Sequence, residues 1–198
     1  MSILESVSRE LDAGHTLAAV TVVEQDASAP RHTGALMIVG KQGLVDGTIG
    51  GGQMEAKAIA AARAIAAGLG QARFIDVDLG GASARESDMI CGGTMKLFLE
   101  PILPKSPTKV LFQRLRKAMA TGEDMFCVVP VSAPDQRRVC RMDMQRWPLP
   151  GELSLLIRDR FTEMREAGSA PRPFVAAISD GPRFVIQPWV APWRLVVA

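Results

Sequence analysis

Apolar positions along this chain recur either about every 3.6 residues or in short continuous or alternating runs, and the order of these two patterns predicts its elements. Ile3, Leu4, Val7 and Leu11 share one helical face between Ser2, with Glu5 three residues on, and Gly14. A capping box, an apolar stripe and a glycine stop together predict an opening helix. Residues 17–23 are almost wholly apolar and rich in valine, as in a strand covered on both faces. Ala35–Val39 and Leu44–Thr48 flank Gly40-Lys41-Gln42-Gly43, which predicts a hairpin. Over Gln53–Leu69 the positions Met54, Ala58, Ala61, Ala62, Ile65 and Leu69 keep helical spacing, with Gly68 and Gly70 as stop signals. Phe74–Leu79 and Met95–Glu100 read as strands, closed by Pro101 and Pro104.

The pattern then repeats: helix Lys109–Ala120, strands Met125–Ser132 and Arg138–Met142, helix Glu152–Ala167, strands Phe174–Ser179 and Arg183–Gln187. Phe98-Leu99-Glu100-Pro101-Ile102 and Val185-Ile186-Gln187-Pro188-Trp189 end their halves alike. The expected fold is α/β, with mixed sheets covered by helices and an internal duplication of an α-β-β-α-β-β unit of roughly 90 to 100 residues. Residues 1–104 are the half expected to carry chemistry. Residues 105–198 are a degenerate copy packed against it, lacking counterparts of the three loops below.

Composition narrows the partners. A chain of 198 residues with 47% apolar residues can bury a real core. A formal charge of +2, with lysines and arginines dispersed, is too small for counterion-driven nucleic-acid binding. Aromatics are 5% of residues and tyrosine is absent, so a base-stacking platform is not expected either. No apolar run reaches bilayer length and no secretory leader is legible, so neither a membrane partner nor export is expected and the location is read as cytoplasmic. Cys91, Cys127 and Cys140 are odd in number and spaced unlike zinc ligands. Free thiols are expected, with no metal site. Cys127 and Cys140 fall inside strand patterns and read as core. Exposed Trp189 and Trp193 near the C-terminus would suit an interface or a further domain.

Three loops remain: Ser28-Ala29-Pro30-Arg31-His32-Thr33-Gly34, Gly47-Thr48-Ile49-Gly50-Gly51-Gly52-Gln53-Met54-Glu55, and Cys91-Gly92-Gly93. A helix beginning after Gly50-Gly51-Gly52 leaves about four N–H donors unpaired at the positive end of its dipole, where an oxyanion would bind; the alternative is a plain structural turn. The triplet matches neither a Walker A loop nor the dinucleotide fingerprint. Arg31 can bring a forked guanidinium to the same anion, or stand in solvent. His32 can relay a proton, though a single loop histidine is more often incidental. Glu55 is a helix-start residue favoured by the dipole, and on the anion's face it would repel. Cys91, before two glycines, is the one candidate for an accessible, reactive thiol.

Residues Val20 to Pro101 resemble the xanthine dehydrogenase accessory protein family, the XdhC and CoxI group. The resemblance rests on Ser28-Ala29-Pro30-Arg31, Gly34-Ala35, Gly47-Thr48-Ile49-Gly50-Gly51-Gly52, Glu55-Ala56, Cys91-Gly92-Gly93 and Glu100-Pro101. It implies binding of the molybdenum cofactor, as molybdopterin in mono- or dinucleotide form. It also implies stabilisation of the sulfurated form and delivery to a xanthine dehydrogenase-type apo-enzyme, by a maturation chaperone rather than an enzyme. On this resemblance the cofactor-binding residues are Ser28, Arg31, Gly50, Gly51, Gly52, Glu55, Cys91, Gly92 and Gly93. Cys91 would stand beside the metal's terminal sulfur ligand. Two other readings stay open: a sulfur-transfer thiol enzyme in which Cys91 takes sulfur from a cysteine desulfurase, and an adaptor that docks desulfurase and target without holding cofactor. A homodimer has room to form. The resemblance further implies a Rossmann-like domain beginning near Arg194-Leu195-Val196-Val197-Ala198, beyond the present sequence.

Overall fold

The computed structural model describes residues 2–25, 33–78, 94–179 and 181–191. Ser28, Arg31, His32, Cys91, Gly92, Gly93 and Trp193 lie outside them. Helix α1 (Ile3–Asp12) starts as its sequence dictates, since the Ser2 amide donates to Glu5 Oε2 at 2.7 Å and the Ser2 hydroxyl accepts from the Glu5 amide. Strands β1 (Leu17–Gln25), β2 (Leu36–Gly40) and β3 (Gly43–Gly47) follow, then helix α2 (Gly52–Ala66), β4 (Arg73–Asp78) and β5 (Thr94–Ile102). The five strands form one sheet in the order β3-β2-β1-β5-β4.

The second half supplies α3 (Ser106–Thr121), β6 (Met125–Pro130), β7 (Arg138–Arg141), α4 (Gly151–Glu166), β8 (Phe174–Ala177) and β9 (Arg183–Trp189). Its sheet has the order β7-β6-β9-β8. Every pairing in both sheets is antiparallel, a narrower arrangement than the mixed sheets expected. Strand for strand, β2-β1-β5-β4 and β7-β6-β9-β8 have the same order, and β3 is the addition in the first sheet.

Strand periodicity explains the layering. In β1, Ala18, Val20 and Val22 face α2, whereas Leu17, Ala19 and Val23 face a central core shared with α1, α3 and Met125, Cys127, Val129 and Val185 of the other sheet. Helix α4 covers the far face of the second sheet over Phe126, Val128 and Ile186. A polar cluster crosses the central seam. Gln187 donates to Glu100 Oε1 at 2.9 Å and to the Thr21 hydroxyl at 3.2 Å, and Arg137 Nη2 lies 3.0 Å from Glu100 Oε2. Arg137 also donates to the Pro134 and Pro101 carbonyls. Burial pushes the Glu100 carboxyl above its ordinary range, despite the opposing influence of Arg137 and Gln187.

Three expectations need correction. Pro101 and Pro188 do not end their strands but lie inside β5 and β9, opposite Ala18 and Phe126. Both stand past the last neighbour on their other side, since β4 reaches only to Leu99 and β8 only to Ile186, so neither proline withholds a needed amide. Leu69 is not on the apolar face of α2. The helix stops at Ala66, Gly68 turns left-handed at φ +79°, and Leu69, 83% exposed, gives its amide to the Ala64 carbonyl in the cap. Trp189 packs against the central core with its indole nitrogen buried, so it is not an exposed anchor.

Candidate functional site

Register brings several strand ends together at one end of the five-stranded sheet. Strand β1 arrives there at Gln25, opposite Met95, and β4 arrives at Asp78, opposite Thr94. Strand β2 departs from Leu36, opposite Thr21, and β3 arrives at Gly47, opposite Met37. The described residues Gln25, Asp78 and Thr94 therefore stand at the edge from which the glycine loop springs, while Ser28, Arg31, Cys91, Gly92 and Gly93 lie outside the described residues. Strand spacing sets β3 about 10 Å from β1 along that edge.

The glycine loop is built by backbone constraints. At Gly47, with φ +78°, a Cβ would stand 2.3 Å from the Leu36 carbonyl oxygen. Only glycine lets the chain leave β3 there. Gly50, Gly51 and Gly52 all have positive φ, at +131°, +77° and +65°. Gly51 is the N-cap and Gly52 already belongs to the helix, so α2 starts inside the triplet and not after it.

The triplet's amides are not all bare. The Glu55 carboxylate turns back and accepts from the Ile49 amide at 3.1 Å, the Gly51 amide at 3.1 Å and the Thr48 hydroxyl. The Thr48 hydroxyl oxygen in turn accepts from the Gly50 amide at 3.2 Å. Burial opposes ionisation of Glu55, but the Thr48 hydroxyl and the Ile49, Gly51 and Gly50 amides outweigh it and hold the carboxyl below its ordinary value. The helix-start residue is thus an internal anion that closes half of the amide cradle. The amides of Gly52, Gln53 and Met54, next along the chain, donate to no group among the described residues. Gly52 and Gln53 are exposed.

Gln25 was not anticipated as part of this end. Directly opposed residues share a face of the sheet, and its partner Met95 packs beneath α2. Gln25 is half-buried, and its amide oxygen is inaccessible without a hydrogen-bond partner among the described residues. At the same end an open groove of about 780 Å³ runs between Val23, Glu24, Gln25 and Thr33 and the residues Asp159, Arg172 and Phe174 of the second half.

Among the described residues no three histidine, cysteine, aspartate or glutamate side chains converge to hold a metal. No helix among them is long and apolar enough to cross a membrane. Cys127 and Cys140 are buried free thiols, as their strand positions predicted, and burial pushes Cys127 up to about 12.

Known proteins can now be set beside this geometry. A Bacillus halodurans crystal structure described as a xanthine dehydrogenase shares the fold, with a TM-score of 0.59 and 19% identity over 80% of this chain and 48% of that one. The present chain thus spans about half the length of that structure. No curated protein matches the chain. The model of the XdhC and CoxI family matches residues 10–78, from the end of α1 through β4 and including the glycine loop. Over that segment, residues 10–78, the N-terminal region of this chain is similar to the XdhC and CoxI family.

Proposed function

We propose that this chain serves the maturation of a xanthine dehydrogenase-type enzyme by holding the molybdenum cofactor at the loop end of its five-stranded sheet. The observation that carries the reading is the start of α2. The amides of Gly52, Gln53 and Met54, at the positive end of a 15-residue helix, meet no acceptor among the described residues, and no Cβ at Gly51 or Gly52 obstructs the approach of an anion. A phosphate or diphosphate, which molybdopterin carries in its mono- and dinucleotide forms, fits such donors. The molybdenum centre, when bound, supplies the redox chemistry of the target enzyme; this chain's residues bind and shield.

Glu55 sets the terms of binding. It satisfies Ile49 and Gly51 and keeps the loop shaped without ligand, and its charge makes an arriving phosphate rely on the amides further along the helix. Weakened retention of this kind suits a protein that must release its cargo to an apo-enzyme. Ser28, Arg31, Gly92 and Gly93 are proposed to complete the cofactor's contacts, with Cys91 beside the metal's terminal sulfur.

The test is to purify the full chain after co-expression with a cofactor-producing pathway, denature it, and assay the released material for oxidised pterin fluorescence. About one pterin per protomer is expected, lost in a Gly50, Gly51, Gly52 triple alanine variant whose folding is checked by circular dichroism. Absence of pterin from the wild-type protein, with the target enzyme co-purifying, would replace this reading with that of an adaptor. Cys91→Ser should keep the pterin and yield a target enzyme lacking its terminal sulfur. Unchanged target activity would remove Cys91 from the scheme.

A further inference from the structure

Strand β8 closes one side of the second sheet, pairing with β9 alone. The open groove of about 780 Å³ meets every residue from Arg172 to Ala177 in succession. It therefore runs along the edge of β8, since a cleft against a sheet face would meet alternate residues. Each residue of an antiparallel strand turns its N–H and C=O together toward one neighbour, and successive residues alternate. The Ile178 amide donates to the Pro182 carbonyl at 3.4 Å, and the Val131 amide donates to the Arg183 carbonyl at 2.9 Å. With that phase, Phe184 and Ile186 turn toward β8 and are met by Ala176 and Phe174. Val175 and Ala177 turn the other way. Their backbone groups have no partner among the described residues, and they line the groove. An unpaired edge of this kind is a template for one more strand.

We propose that this edge is a docking site for an extended segment of a partner protein, which adds antiparallel to β8 as a fifth strand of the second sheet. The walls of the groove select a single strand. Leu156, Asp159, Glu163 and Met164 of α4 stand along one side, and Val23 and Thr33 along the other. The β8 edge of a second copy carries a helix and a sheet of its own, which would strike these walls before the strands came within the ~4.8 Å of ladder pairing. Leu156, 38% exposed, and Met164 offer the incoming strand an apolar side, which suits β-branched residues. Charge sets the direction. Arg160 is paired with Glu163 at 2.8 Å and Glu24 with Lys96 at 3.0 Å, whereas Arg172 and Asp159 have no ion-pair partner among the described residues. Helix α4 runs opposite to β8, with Glu152 bonded to Ser179 and the Phe161 ring 5.8 Å from that of Phe174. Asp159 thus lies beside β8, and Arg172 lies before its start. A strand antiparallel to β8 passes Asp159 first and reaches Arg172 at its C-terminal end. The segment that fits carries a basic side chain in its middle and an acidic one near its end. This surface is separate from the start of α2 and does not depend on what binds there.

The experiment adds to the full chain a capped, fluorescein-labelled peptide of eight residues, alternating valine and threonine, with a lysine in the middle and a glutamate at the end. Two further forms are N-methylated on alternate amides, one set in each. Strand addition predicts saturable anisotropy, with affinity lowered about tenfold in one methylated form and unchanged in the other, the worth of one or two ladder hydrogen bonds. The Val175 and Ala177 amides should gain protection from hydrogen exchange in wild-type protein when the peptide binds. Ala177→Pro removes an outward amide without touching the ladder to β9, and should lower affinity by about tenfold at unchanged circular dichroism. Arg172→Glu should weaken the peptide several-fold and favour a version whose glutamate is replaced by lysine. Absence of binding, equal affinity of the two methylated forms, or binding without protection at Val175 and Ala177 would overturn the proposal. A dimer in sedimentation that Ala177→Pro dissolves would assign the edge to a second copy and overturn it too. Pterin retention is unaffected by any of these results, so the cofactor reading stands or falls separately on the triple glycine variant.

Discussion

The two halves of this molecule share a strand order and differ where their long covering helices begin. Helix α2 starts through three glycines of positive φ and a carboxylate folded back onto backbone amides, at the sheet end where β1 arrives at Gln25 and β4 at Asp78. Helix α4 starts after Pro150, and its Glu152 carboxylate is drawn away to the Ser179 amide and hydroxyl, both at 3.0 Å. Equivalent architecture thus supports a glycine-built, partly open cradle in one half and a proline-led, pinned corner in the other. The scaffold is common to both; the first half opens its helix through three positive-φ glycines, the second through a single glycine of ordinary φ.

The comparison breaks most severely at the seam that joins the halves. Glu100 and Gln187 occupy equivalent places in β5 and β9 and touch each other, with Arg137 as the buried counter-charge. Arg137→Met is expected to cost about 3–5 kcal/mol in urea denaturation, because it strands a buried carboxylate without its cation. A next, smaller effect separates the two helix starts directly. Alanine at Gly51 and Gly52 forces left-handed backbone and should cost about 1–2 kcal/mol at each position. Gly151→Ala in α4, at ordinary φ and with open space around its Cβ, should be neutral or stabilising by about 0.5–1 kcal/mol.

Charge at the two starts distinguishes them next. Glu55→Gln should raise affinity for inorganic phosphate several-fold by removing a nearby negative charge, whereas Glu152→Gln should leave it unchanged; isothermal titration measures both. The same substitution has a pH signature. Glu55 titrates below its ordinary value of 4.5 in the folded chain, so its contribution to stability is present above pH 4.5 and lost as pH falls through the folded value. Melting temperature against pH should therefore fall less steeply in acid for Glu55→Gln than for wild type. The smallest effect belongs to Leu69→Lys, which touches only solvent and should shift stability by less than about 0.5 kcal/mol.

The order of elements was legible because the chain obeys local rules. The capping box at Ser2, the valine-rich run of β1 and the glycine stop at Gly68 each act within a few residues, and tertiary packing reinforces them. What escaped the sequence depends on neighbours. Pro101 looks like a strand terminator until β4 proves to end two residues short of it. Glu55 reads as a helix-start residue, but that its carboxylate would take up the Ile49 and Gly51 amides follows only from the path of the Thr48–Gly51 loop. Gln25 carries no motif at all, and its inaccessible amide oxygen, without a partner among the described residues, follows only from the packing at the end of β1. The resemblance on the glycine blocks agrees with the family match at residues 10–78, yet Ser28, Arg31 and Cys91 lie outside the described residues and stand as proposals.

The central claim is that a negatively charged group docks on the open amides at the start of α2. Amide chemical shifts of the isotope-labelled full chain, followed while inorganic phosphate is added, test it most directly. The expected result is saturable movement of Gly52, Gln53 and Met54, with Glu55 responding and Gly151 and Glu152 still; shifts confined to other surfaces, or equal at the two helix starts, would contradict it.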